Sequence, residues 1–171
     1  MSGCQNRGVT DLAVFDLASA RFALRRATAA DVGPIVALIA ADQLRAAVES
    51  AEPEHRSRYD AAFAAIDADP AHLLAVVCDA AGSVVATMQL TEIPGLARAG
   101  ATRLQIEAVR VRDDLRGNGL GGAMIGWAVD EARRRGAALV QLTSDASRTD
   151  ARRFYERLGF TASHVGFKLL L

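Results

Sequence analysis

Four glycines fall within six positions, at 117, 119, 121 and 122, between a strand pattern and a helix pattern. Over residues 102–111 (TRLQIEAVRV) the side chains alternate with period two. Leu104, Ile106 and Ala108 point one way, and Gln105, Glu107, Val109 and Val111 the other. After the glycines, Leu120, Ala123, Met124, Trp127 and Ala128 recur at helical spacing, up to Arg133-Arg134-Arg135 and Gly136. The arginines suit the negative end of the helix dipole, and Gly136 suits the position just past the helix. A new strand follows over 138–143. Strand, helix and strand in this order make a parallel crossover, so the chain belongs to the α/β class. A glycine turn at a helix start also gathers backbone N–H groups where the dipole is positive, which suits a phosphate or pyrophosphate. Glycine serves there because side chains would block close approach and because φ > 0 is accessible to it.

The first half reads differently. Residues 1–20 are expected to be a tail, and 21–27 (RFALRRA) a first strand. Thr28 and Asp31 form a capping box ahead of a helix carrying Ile35, Leu38 and Ile39. Pro53 is placed to open a second helix, with Tyr59, Phe63 and Ile66 on one face, stopped at Asp69-Pro70. Residues 72–78 and 83–90 are β-rich runs joined through Asp79 and Gly82, a hairpin signal. Pro94-Gly95 to Gly100 is a loop. A short helix opens at Thr149/Asp150 and closes at Gly159, and 165–171 is expected to be a final strand. The expected architecture is a single α/β domain over 21–171 in the order β-α-α-β-β-β-α-β-α-β. Its mixed sheet is antiparallel in the first half and parallel in the second.

Composition excludes several classes. The chain has 20 Lys+Arg against 20 Asp+Glu, so a nucleic-acid coat or polybasic membrane binder is not expected. No run is long and apolar enough for a membrane span, and the N-terminus lacks a signal-peptide pattern. Cys4 and Cys78 read as two reduced thiols of a cytoplasmic protein. His55, His72 and His164 are scattered, so no metal site is expected. The nucleophile elbow G-x-S-x-G and the phosphate loop G-x-x-x-x-G-K-[ST] are absent.

The glycine turn admits three readings. It can be a tight turn without a ligand. Gly117-x-Gly119-x-x-Gly122 also spells the dinucleotide fingerprint. Against that, five residues (112–116) separate it from the strand, and only about 50 residues remain for a second mononucleotide half. Third, Arg116-Gly-Asn-Gly-Leu-Gly121 resembles the R/Q-x-x-G-x-G/A signature of the GNAT acyltransferase superfamily. Downstream, Arg153-Phe-Tyr-Glu-Arg-Leu-Gly-Phe160 is similar to that superfamily's F-Y-x-x-x-G-F segment. Two motifs in the right order are more specific than either alone, and the resemblance extends over 21–171.

The resemblance implies acetyl transfer from acetyl-CoA to an amine. The backbone at Val109 and Val111 would bind the pantetheine arm, between two parallel strands (102–111 and 138–143) that splay apart. The pyrophosphate would rest on N–H groups of Arg116, Gly117, Gly119, Gly121 and Gly122, within the turn that also holds Asn118 and Leu120. Glu107, on the same strand face as Val109 in this reading, resembles a general base. It reads equally as a surface carboxylate beside arginines. Tyr155 matches the general acid, against a role as a core aromatic. Many members carry Asn where this chain has Arg148, which would contact the cofactor or reach an acidic substrate group. Arg152 and Arg153 are candidates for the nucleotide end. The expected partners are acetyl-CoA and an amine-bearing small molecule, with no nucleic acid and no membrane. The acceptor pocket would draw on 31–68 and 91–101, where Glu49, Glu52, Glu54 and Glu92 would attract a cationic amine. A peptide N-acetyltransferase and a non-catalytic acyl-CoA-binding regulatory module are the alternatives. Exposed C-terminal strand edges are compatible with a homodimer.

Overall fold

The computed structural model describes residues 10–18, 20–42 and 55–170. A six-stranded sheet runs in sequence order, β1 (Asp11–Asp16), β2 (Arg21–Arg26), β3 (His72–Cys78), β4 (Val84–Ile93), β5 (Arg103–Val111) and β6 (Leu139–Leu142). Each neighbouring pair from β1 to β5 is antiparallel, and β5 with β6 is parallel. Two helices, α1 (Val32–Ala40) and α2 (Arg56–Ala68), precede β3. The turn α3 (Ala97–Gly100) precedes β5, while α4 (Leu120–Arg134) and α5 (Thr149–Arg157) flank β6.

The sheet is covered on both faces. On one, Leu120, Met124, Ile125, Ala128 and Ala132 of α4 pack with Phe22, Leu24, Met88, Leu90, Leu104 and Ile106. On the other, Ile35 and Ile39 of α1 and Phe63 and Ile66 of α2 pack on Leu74, Val76 and the buried Cys78. The capping box forms, with Thr28 N–H donating to Asp31 Oδ2 at 2.7 Å. Asp31 also receives both arms of the buried Arg25 guanidinium at 2.8 Å, which ties α1 to β2. Burial alone would raise the Asp31 pKa, but the Arg25 and Thr28 hydrogen bonds lower it below 3.8.

α4 ends as its sequence demands. Gly136 takes φ 74°, Gly136 N–H donates to Arg133 O at 3.0 Å and Ala137 N–H to Ala132 O at 2.9 Å. Arg135 then reaches Glu131 Oε1 at 2.6 Å and Glu92 Oε1 at 2.5 Å, fastening the helix end to β4.

Both ends of the chain depart from the sequence expectation. The segment expected as a tail contributes β1, which pairs with β2 across Asp16↔Arg21 to Asp11↔Arg25. Conversely, the strand expected over 165–171 does not form in residues 161–170. Val165, Phe167 and Leu169 alternate as a strand should, yet all are exposed, Phe167 to 92%. The alternating side chains thus bury no face, and among the described residues no strand pairs with β6 beyond β5. Pro53 and Cys4 lie outside the described residues. No helix is long and apolar enough to cross a membrane among the described residues.

Candidate functional site

The sheet opens where β5 outruns β6. The two strands pair from Arg103↔Leu139 to Ile106↔Leu142 and no further, while β5 continues to Val111. The 107–111 backbone therefore has no β6 partner and lines a cleft. Two carbonyls there are occupied by guanidiniums: Arg110 Nη1 donates to Val109 O at 2.7 Å and Arg116 Nε to Val111 O at 3.2 Å.

A β-bulge sits in the same stretch. Thr87 faces Arg110 and Gln89 faces Glu107, so Met88 alone opposes both Ala108 and Val109. Ala108 takes φ 50°, the left-handed region that a residue with a Cβ seldom enters. The extra residue overturns the expected alternation. Val109 and Val111 pack against the α4-side core together with Leu104 and Ile106. Glu107 lies on the opposite face from them, exposed, with no hydrogen bond or ion pair among the described residues. Among the described residues, the surface ion pair that was the alternative reading of Glu107 is not made.

Beyond the cleft, Gly117 and Gly119 have φ 79° and 85°, and Gly119 caps α4. The first helical bond is Ala123 N–H to Gly119 O at 3.0 Å. The N–H groups of Leu120, Gly121 and Gly122 thus project from the helix start without helical acceptors. A Cβ added at Gly117, Gly119 or Gly122 would meet nothing within 4 Å, which leaves open space above the backbone. Gly121 points inward instead, where a Cβ would sit 3.5 Å from Phe154 Cζ. Leu120 is buried, so it offers the turn only its backbone, and Asn118 is exposed. One expected donor is corrected: Arg116 N–H is spent on Asp113 O at 3.2 Å, closing the turn before the glycines. What remains is a concave row of amides at a helix dipole, and these residues fit a pyrophosphate.

On α5, Tyr155 packs edge-on to Phe154 (5.1 Å between centroids) and Phe160 (5.9 Å). Gly159, at φ 89°, ends the helix with Phe160 N–H donating to Tyr155 O at 3.1 Å, which brings Phe160 onto the tyrosine ring. Burial raises the Tyr155 pKa, partly offset by the Arg110 and Arg148 charges, so the phenol keeps its proton at neutral pH. Arg152 and Arg153 are exposed, paired along the helix with Glu156 at 2.9 Å and Asp150 at 3.7 Å.

The sequence reading missed one constellation. Asp42, just past α1, accepts on a single oxygen, Oδ2, from Arg110 Nη2 at 3.0 Å and from Arg148 Nη2. No motif links three positions so far apart; only Arg148, singled out for standing where asparagine was expected, gave a signal. Glu92 does not serve an acceptor, because Arg135 engages it on the α4 face. Glu49, Glu52 and Glu54 lie outside the described residues. Among the described residues, no three His, Cys, Asp or Glu side chains are grouped to hold a metal.

Known proteins share this design. The acetyltransferase (GNAT) family model matches residues 38–160. Over 63 residues the chain is 40% identical to the aminoalkylphosphonate N-acetyltransferase of Salmonella typhimurium (strain LT2). That span is 37% of this chain and 41% of that enzyme, less than half its length. The crystal structure of a transcriptional regulator from Bacillus halodurans C-125 superposes with TM-score 0.84 at 39% identity, covering 88% of this chain and 99% of that one. Glucosamine-6-phosphate N-acetyltransferase from Arabidopsis thaliana, at 19% identity, shares the fold, with TM-score 0.71 over 87% of this chain and 97% of that one. With the family model matching residues 38–160, most of its length, the chain belongs to the acetyltransferase (GNAT) family.

Proposed function

We propose that the protein transfers the acetyl group of acetyl-CoA to the primary amine of a small molecule, by direct attack of the amine. The observation that carries this reading is the conjunction of an amide cradle (117–122) at the start of α4, a 107–111 edge without a β6 partner, and a Tyr155 that burial and the Arg110 and Arg148 charges act on. In this reading Gly117, Gly119, Leu120, Gly121 and Gly122 hold the pyrophosphate through backbone N–H groups, Asn118 and Arg116 flank it, and Val109 and Val111 receive the pantetheine amides. Arg152 lies toward the nucleotide end. When bound, acetyl-CoA supplies the activated acetyl group. An ammonium has no lone pair with which to attack, so Glu107 takes its proton, directly or through one water. Glu107 suits this because it is exposed and uncommitted among the described residues. Tyr155 Oη, kept protonated by burial, gives a proton to the departing sulfur. The relative that acetylates aminoalkylphosphonates supports a small-molecule acceptor.

A second reading, an acyl-CoA-binding module without turnover, draws on the similarity to the Bacillus halodurans regulator. A thermal shift with acetyl-CoA, followed by thiol release over a panel of amines, amino acids and peptides, separates the two. Stabilisation with turnover on small amines supports the enzyme, stabilisation without turnover supports the module, and a flat response removes both.

A further inference from the structure

The Asp42–Arg110–Arg148 cluster joins the end of α1, the bulged part of β5 and the loop before α5 around Tyr155. Asp42 is 8% exposed, Arg110 18% and Arg148 33%. Arg110 reaches Asp42 with Nη2 and is steadied by its Nη1 bond to Val109 O at 2.7 Å. Arg148 uses only Nη2 toward Asp42, and its Nε and Nη1 hydrogens have no acceptor among the described residues. The Asp42 carboxylate therefore holds the Arg148 guanidinium in a fixed pose with the rest of its donor fork turned to solvent. A guanidinium fork binds a carboxylate, phosphate or phosphonate through two parallel hydrogen bonds. The bulge puts Arg110 on the sheet face shared with Glu107, away from Val109 and Val111. The cluster and the base candidate thus face the acceptor side together.

We propose that Arg148, clamped by Asp42 and backed by the charge of Arg110, binds an anionic group on the acceptor, so that the preferred substrates are short primary amines bearing a carboxylate, phosphate or phosphonate. Arg148 is the binding residue, and Asp42 and Arg110 are positioning residues. This assignment rests on the acetyl-transfer reading for its catalytic consequence, but the anion site itself is open to test by binding alone.

The test compares thiol release with acetyl-CoA on 2-aminoethylphosphonate, 2-aminoethyl phosphate and β-alanine against n-propylamine and putrescine. The expected kcat/KM for the best anionic amine exceeds that for n-propylamine roughly 30-fold, because only the anionic amine forms charge-assisted hydrogen bonds with the Arg148 fork. Arg148→Gln lowers that ratio at least tenfold through the KM of the anionic amine, and Arg148→Lys, which keeps the charge without the fork, recovers only part of it. Asp42→Asn moves the same KM in the same direction. The three anionic amines distinguish tetrahedral from planar oxyanions. Equal kcat/KM for amines with and without an anionic group overturns the proposal, as does an Arg148→Gln loss carried by the KM of acetyl-CoA. Failure of every amine to turn over sinks the transferase reading, and the anion site is then judged by thermal shift of the acetyl-CoA-loaded protein. Stabilisation by millimolar 2-aminoethylphosphonate but not by n-propylamine, lost in Arg148→Gln, upholds it; equal or absent stabilisation removes it.

Discussion

In the proposed reading the cradle at the start of α4 and the cluster around Arg148 solve the same problem, holding an anion, with opposite materials. The cradle is made of backbone, and its six residues are contiguous. The cluster is made of side chains drawn from positions 42, 110 and 148, on three separate elements. A backbone site needs glycine and a helix start, which leave a local trace in sequence. A side-chain site needs only that the fold bring distant residues together, which leaves none. The cradle should therefore tolerate side-chain exchange at its exposed positions and fail when a Cβ intrudes. The cluster should answer to charge and fork geometry.

Tyr155 stands where the two regions meet, and its loss should be the most damaging. Tyr155→Phe is expected to lower kcat about 10³-fold while acetyl-CoA stabilisation survives, since general acid catalysis contributes roughly 10²–10⁴-fold. Unaltered turnover would reduce the residue to an aromatic packing group. Next, Glu107→Gln should cost about 10²-fold in kcat with acetyl-CoA stabilisation retained. Unchanged kcat would place the base elsewhere. Gly119→Val tests the backbone cradle itself. At φ 85° a side chain is strained by about 1–2 kcal/mol, and the new atoms fill the space the ligand needs. Acetyl-CoA affinity should fall at least tenfold, with a fold that still melts cooperatively. Asn118→Ala, in the same turn, should change affinity less than about twofold if amides do the binding. A large Asn118 effect would break the contrast.

The smallest expected effect is one of pH, on the acceptor-side layer. The folded Asp31 pKa is lowered, so its pairing with Arg25 contributes stability fully above the ordinary value of 3.8. That contribution is lost as pH falls through the lowered folded value. Wild type should lose Tm on acidification through this window, and Asp31→Asn should flatten that part of the curve while lying lower at neutral pH.

Legibility in the sequence followed the same division. The capping box, the hairpin of β3 and β4, the glycine turn and the Gly136 and Gly159 helix ends were all local, and each is where its residues place it. What escaped was set by tertiary context. Residues 11–16 carry a weak strand pattern, and pairing with β2 makes them β1. Residues 165–170 carry a stronger one, yet their apolar side chains stay exposed and they form no ladder. The bulge at Ala108 reversed the assigned faces of Val109 and Val111, because nothing about an alanine in a β-rich run announces φ 50°. Asp42 drew no notice as the second residue past a helix, though it gathers two arginines.

That single inserted residue also separates two evolutionary problems. Ahead of it, β5 keeps odd-numbered side chains on the face opposite the α4-side core; behind it, the even-numbered ones. Arg110 can then change with the acceptor while Val109 and Val111 stay committed to the opposite side. Straightening the bulge with Ala108 retained would shift the phase of the strand beyond it, turning a guanidinium into the apolar layer and two valines to the opposite face. If the proposed roles hold, one ribbon addresses two reactants independently, and a descendant with new acceptor chemistry need not renegotiate its grip on the acyl donor.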